Sequence, residues 1–199
     1  MDTGTLLSVL VGIGLSAACG FRVFVPLLVM SLASLSGNLS FSSGFEWIGS
    51  YPAAVAFAVA TVLEIGGYYI PWVDHFLDLI ASPAAVIAGI VAVASTVTGM
   101  SPFLRWSLAI IAGGGIAGTV QALTGLSRIA STATTAGLGN PIVATAEAGG
   151  AIVVSVLAIL IPVGAVIVVV AIVVGIIFWP GRALFRKVRS RPSEMAMKK

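Results

Sequence analysis

From residue 142 to residue 179 the chain carries one charged side chain, Glu147, and no basic one. A helix crossing a bilayer needs about 20 apolar residues, so this stretch suffices for about two spans. Pro162-Val163-Gly164 marks the turn between them, because Pro and Gly interrupt a helix. Nothing so uniformly apolar can form the water-facing surface of a soluble domain. The rest agrees: of 199 residues, 59% are apolar and 9% charged, with a mean hydropathy of +1.14. A soluble domain has roughly 45–50% apolar and about 25% charged residues. The chain therefore reads as an integral membrane protein whose first partner is the lipid bilayer. A soluble enzyme, a nucleic-acid module and a disordered tail are excluded as its main body.

The first half shows the same material with more interruptions. Residues 6–35 are too long for one upright span and too short for two, and they contain Gly12, Gly14, Gly20 and Pro26. A tilted, kinked or broken helix is predicted there. A polar stretch, 36–50, leads to a second span at 52–70, an interfacial segment at 71–78 and a third span at 83–98. The second half begins at Ser101-Pro102, passes through Gly113-Gly114-Gly115-Ile116-Ala117-Gly118 in a fourth span, and reaches a hydroxyl- and glycine-rich segment, 127–140. Its segment 103–140 is also overlong, so a break or bend is predicted there too. Leu7-Ser8-Val9-Leu10-Val11-Gly12-Ile13-Gly14 resembles Leu108-Ala109-Ile110-Ile111-Ala112-Gly113-Gly114-Gly115 at an offset of 101. The expected fold is all-α: a polytopic transmembrane helical bundle of about six spans. Its halves, 1–100 and 101–181, would form an inverted repeat of two three-helix units with broken first helices.

Charge sets the orientation. Residues 182–199 hold seven of the ten Lys and Arg against one acid, Glu194. This short tail, and not a nucleic-acid surface, accounts for the pI of 9.4. Basic flanks are retained inside, so a single transmembrane domain, 1–181, is expected in a bacterial inner (plasma) membrane with a basic cytoplasmic tail, 182–199. Six spans would put the N-terminus on that same side. Cys19, the single cysteine, cannot form an internal disulfide.

Ionisable groups inside apolar spans are the informative ones, since each costs ~2.5–3.5 kcal/mol at the bilayer centre. Arg22, Glu64 and Glu147 stand out, and together they would be less costly than three isolated charges. The functional reading is a substrate or ion site, with the carboxylates exchanging a proton or cation and Arg22 neutralising them or holding an anionic solute. The structural reading is an ion-pair lock on helix packing. Ser131, Thr132, Thr134 and Thr135, followed by Asn140, form a second candidate, able to coordinate a cation or a polar solute. Asn140 would also cap the helix that begins near Pro141. Against that stands the ordinary role of Ser and Thr, which bond their own helix backbone.

Gly114 and Gly118 have the GxxxG spacing, and Gly14 with Ala18 is a weaker pair. Both mark close helix contacts within the subunit, with a homo-oligomer contact as the alternative. His75, between Asp74 and Phe76, has too few partners for a metal site. The sequence shows no catalytic, cofactor-binding or metal motif, so no enzyme chemistry and no cofactor are expected.

Two strings resemble those of a family of small polytopic membrane proteins catalogued as domain of unknown function 4126. They are Gly14-Leu15-Ser16-Ala17-Ala18-Cys19-Gly20-Phe21-Arg22-Val23-Phe24-Val25-Pro26 and Ala130-Ser131-Thr132-Ala133-Thr134-Thr135-Ala136-Gly137-Leu138-Gly139-Asn140-Pro141. Glu64, Pro71, Asp74 and Asp78 fall where that family has similar residues, and the resemblance runs to about Trp179. Where the family often has an acidic pair, Glu147 is followed here by Ala148. The resemblance implies a membrane domain and no established activity. Two classes of function stay open. One is a small-solute or ion transporter, with Glu64 and Glu147 handling protons or cations and Arg22 as counter-ion. The other is a non-transporting membrane scaffold or assembly partner whose charges and glycines fix packing.

Overall fold

The computed structural model describes residues 2–175; the basic tail, the end of the sixth expected span and the His75 side chain lie outside the described residues. Among the described residues every regular element is helical. In order they are α1 (Thr3–Phe21), α2 (Phe24–Leu35), a short 3-10 turn (Glu46–Gly49), α3 (Tyr51–Gly67), α4 (Pro71–Thr96), α5 (Pro102–Leu108), α6 (Gly115–Thr135), α7 (Asn140–Leu160) and α8 (Pro162–Gly175). A π-helical turn, Ala109–Gly114, joins α5 to α6, so the helix runs unbroken for 34 residues from Pro102 to Thr135. Four helical stretches are long and apolar enough to cross a membrane: Thr3–Phe21, Trp72–Thr96, Pro102–Thr135 and Asn140–Leu160. α2, α3 and α8 are shorter apolar helices.

Three helices, α1, α3 and α5, start where a side chain satisfies a first-turn N–H group, whereas Asn140, expected as a cap, lies inside α7 and makes no cap bond. Asp2, Ser50 and Ser101 accept from the backbone N–H of Thr5, Ala53 and Leu104 at 3.4, 3.3 and 3.4 Å. α3, α4, α5 and α7 each place a proline in the first turn, where its missing N–H leaves no bond unmade.

The first overlong segment breaks at Arg22, whose backbone is extended (φ −147°, ψ 134°). Pro26 lies in the first turn of α2, just past that break. The chain then turns back. After α2, the Ser42 N–H donates to Ser95 O at 2.7 Å and its Oγ to Ala94 O at 2.7 Å. A Cβ on Gly99, just beyond α4, would touch Thr5 at the start of α1. The N-terminus, the segment after α2 and the α4–α5 connection therefore share one end of the bundle. The α1–α2, α3–α4 and α6–α7 turns share the other. The broken helix expected over residues 6–35 is present, and its break at Arg22 folds the segment back on itself. α1 and α2 form a hairpin, and α8 runs from Ala165 beside Gly14 toward the end opposite the N-terminus, with Val169 packed among Ala17 and Ala18.

Two further expectations change. Residues 71–78 are not a separate interfacial segment but the first turns of α4, which continues past Pro83 to Thr96. The second overlong segment does not break as the first does; it absorbs its irregularity in the π turn, which widens the helix locally.

Small residues let the helices approach closely at the centre. A Cβ on Gly89 would lie 2.5 Å from Ala117 Cβ and 2.6 Å from Gly113 O; one on Gly20 would lie 2.5 Å from Val120 Cβ. Ser16 Oγ donates to the Gly113 carbonyl in the π turn at 2.5 Å. The GxxxG pair meets α4 within the chain: Gly114 faces Ile90 and Val86, and Gly118 faces Val86. Exposed aromatic side chains occupy both ends, Trp47, Tyr51 and Phe103 at the N-terminal end and Tyr69, Trp72 and Phe76 at the other. That is the distribution of a membrane-embedded bundle.

Candidate functional site: a buried charge cluster

The break after α1 places Arg22 at the end of the bundle where α3 finishes, α4 starts, α6 finishes and α7 starts. Arg22 is 2% exposed, Asp74 4%, Arg128 5% and Glu147 6%. Arg22 Nη2 donates to Ala144 O at 2.9 Å and lies 3.2 Å from Glu147 Oε2. Arg128 binds the same carboxylate with both arms of its fork: Nε donates to Glu147 Oε1 at 3.1 Å, and Nη2 donates to Oε2. Its remaining nitrogen, Nη1, donates to Asp74 Oδ1 at 2.6 Å and stands 3.7 Å from Asp78 Oδ1. Both guanidiniums cover the Tyr68 ring, their Cζ atoms 3.8 Å (Arg22) and 4.0 Å (Arg128) from its centroid. A ring held this way offers its electron-rich face to two cations at once.

Glu64 solves a different problem. The first N–H groups of α2 have no carbonyl to bond within the helix. Glu64 accepts from Val23 N–H at 2.8 Å and Phe24 N–H at 3.0 Å, so one carboxylate closes the break from α3 and also faces the positive end of the α2 dipole. Asn140 links the hydroxyl segment to the cluster: its Nδ2 donates to Asp74 Oδ2 at 3.3 Å and to Thr132 Oγ1 at 3.2 Å. Tyr69 Oη meets Thr145 Oγ1 at 2.7 Å and ties the α3–α4 turn to α7.

The structure thus brings Arg22 to Glu147. Glu64 lies next to them but is held by backbone N–H groups. Thr132 and Asn140 join through Asp74. Thr134 and Thr135 are exposed and donate to their own helix, to Ala130 O at 2.8 Å and Ser131 O at 2.7 Å, and Ser131 Oγ is buried without a partner.

Four members were missed: Tyr68, Asp74, Asp78 and Arg128. A signal for Arg128 existed, because Gln121, Thr124 and Arg128 recur at helical spacing as a buried polar stripe on α6. Asp74 and Asp78 are four residues apart and so share one face of α4. Asp78 keeps 38% of its side chain exposed, which opens the cluster toward water at this end.

Three carboxylates, Asp74, Asp78 and Glu147, pair with two guanidiniums, so one negative charge remains for a proton or cation to neutralise. The partners also cross the molecule. Arg22 lies before residue 101 and pairs with Glu147 after it, while Arg128 lies after it and reaches Asp74 and Asp78 before it.

The sequence model of a family described as "Domain of unknown function (DUF4126)" matches residues 9–181. The chain belongs to this family. No curated protein and no solved structure matches it. The DUF4126 match takes in every residue of the charge cluster, from Arg22 to Glu147.

Proposed function

We propose that this chain is a small-solute or ion transporter of a lipid membrane, in which the charge cluster couples movement to a proton or cation. The observation that carries the reading is the surplus of carboxylates over guanidiniums in a buried site. A lock between helices needs matched charges; unmatched ones suit a site that loads and unloads. The cross-pairing adds a route for coupling. Neutralising one carboxylate changes which partner Arg128 or Arg22 prefers, and those partners sit on different halves, so the helices respond. In this reading α2, α3 and α8 join the four long helical stretches in the bilayer, the halves act as a related pair, and the basic tail faces the cytoplasm of a bacterial inner membrane.

A second reading, a membrane scaffold or assembly partner, draws on one observation. All three nitrogens of the Arg128 guanidinium group already have carboxylate partners, as a permanent lock would require. Purified protein in liposomes with a trapped pH-sensitive dye separates the two. Transport predicts solute-dependent proton movement that Glu147→Gln abolishes, and that the Arg22→Gln/Glu147→Gln double variant fails to restore even where it folds stably. Absence of flux for every polar solute and ion tried, with stability alone responding to the substitutions, would favour the scaffold.

A further inference from the structure

Between α3 and α4 a groove of about 330 Å³ opens on the apolar outer face of the bundle, with Glu64 and Tyr68 in its lining. Ala60 and Leu63 line it from α3, Ile80 and Ala81 from α4. Leu63 is 68% exposed and Ile80 45%, so the mouth faces the lipid side. The volume sits at the low end of the ~300–1,000 Å³ typical of small-molecule sites, room for one alkyl chain with a compact head and not for a two-chain lipid.

The chemistry inside the groove selects the head. An ionised carboxylate offers about four acceptor positions, and Glu64 uses two of them on Val23 and Phe24 N–H. Among the described residues its carboxylate has no ion-pair partner: Arg22 pairs with Glu147, and Arg128 with Asp74, Asp78 and Glu147. A carboxylate with acceptor positions to spare and no ion-pair partner, set in an apolar groove, is complementary to a cation that carries an apolar tail. An anion would meet Glu64 and, behind it, a cluster already richer in carboxylates than in guanidiniums.

We propose that the groove between α3 and α4 binds a monoalkyl ammonium ion taken laterally from the bilayer, its tail along Ala60, Leu63, Ile80 and Ala81 and its ammonium group on Glu64. This names a substrate class for the transporter proposed above and rests on that reading for movement, though not for binding.

Three probes with one tail and different heads test it: decylammonium, decyl sulfate and decanol, titrated calorimetrically into the purified full chain in neutral maltoside micelles. Decylammonium should bind at a single site about tenfold more tightly than the other two, the worth of one charge-assisted contact. Glu64→Gln should erase that preference. Ala60→Phe, which fills the groove and leaves Glu64 in place, should abolish saturable binding while helix content and melting stay unchanged; it decides the matter if Glu64→Gln does not fold. Equal affinities for the three heads, or decylammonium binding undiminished in Ala60→Phe, would overturn the proposal. Saturable binding without proton-linked flux in liposomes would sink the transport reading and leave the site standing. Proton-linked flux of other solutes without head-group preference would do the reverse.

Discussion

At the level of Ser16, α1, α4 and the π turn approach until Gly89 and Gly113 leave no space for a side chain. Less than two turns further along α1, Arg22, Arg128, Asp74 and Glu147 meet instead, equally buried but held by charge. The two regions differ in how many arrangements they permit. The glycine seam has one, because each backbone is in contact with the next and any slide produces overlap. The charged end has several, because Arg128 reaches three carboxylates and Glu147 serves two guanidiniums. A bundle built this way has a rigid waist and an end whose pairings can exchange.

Substitutions at the two regions should therefore fail differently. The largest effect is expected from Glu147→Gln, which strips Arg22 of its ion-pair partner and leaves Arg128 to Asp74 and Asp78; removing one partner of a buried pair costs about 3–5 kcal/mol. Unfolding in a denaturing-detergent titration measures it, and a loss below about 1 kcal/mol would mean that water already compensates these charges. Next comes the seam. Gly89→Ala should cost about 1–3 kcal/mol by overpacking, since its Cβ would meet both a methyl group and a backbone carbonyl. Gly66→Ala, on α3 with nothing within 4 Å of the added Cβ, is the control. It should be neutral or up to about 1 kcal/mol stabilising, from helix propensity alone. Equal losses at Gly89 and Gly66 would break the distinction between seam and surface. The smallest effect is expected at Asp78, whose carboxylate is partly exposed and 3.7 Å from Arg128. Asp78→Asn should shift stability by about 0–1 kcal/mol. In the transport reading it alters proton-linked flux more than folding, which the liposome assay would register.

The close packing was legible in the sequence in part: the small-residue pairs mark neighbouring contacts, while Gly89, at the heart of the seam, is not among them. Gly114, Gly118, Gly14 and Ala18 carry small-residue spacing, and spacing is what close helix contact requires. Arg22, Glu64 and Glu147 were visible because a charge in an apolar run has no cheap explanation. Arg128, Asp74 and Asp78 were hidden by their surroundings. They lie in segments polar enough to read as connections, yet α4 and α6 continue through those segments and turn the charges inward. Hydropathy reports where lipid can be, and a helix that outlasts its apolar run passes unnoticed. The hairpin of α1 and α2 was hidden for the opposite reason. Its turn consists of Arg22 and Val23 alone, with none of the usual loop residues, and it is stabilised from a distance by Glu64.

The central claim is that Arg128 and Glu147 act as one buried unit joining α6 to α7 within the larger cluster. A double-mutant cycle tests it most directly: Arg128→Gln, Glu147→Gln and the pair together, each compared with the unaltered chain by detergent unfolding. The pair should be less destabilised than the sum of the single variants by about 1–3 kcal/mol, because removing both charges leaves fewer ions stranded. Strict additivity of the two losses would contradict the account.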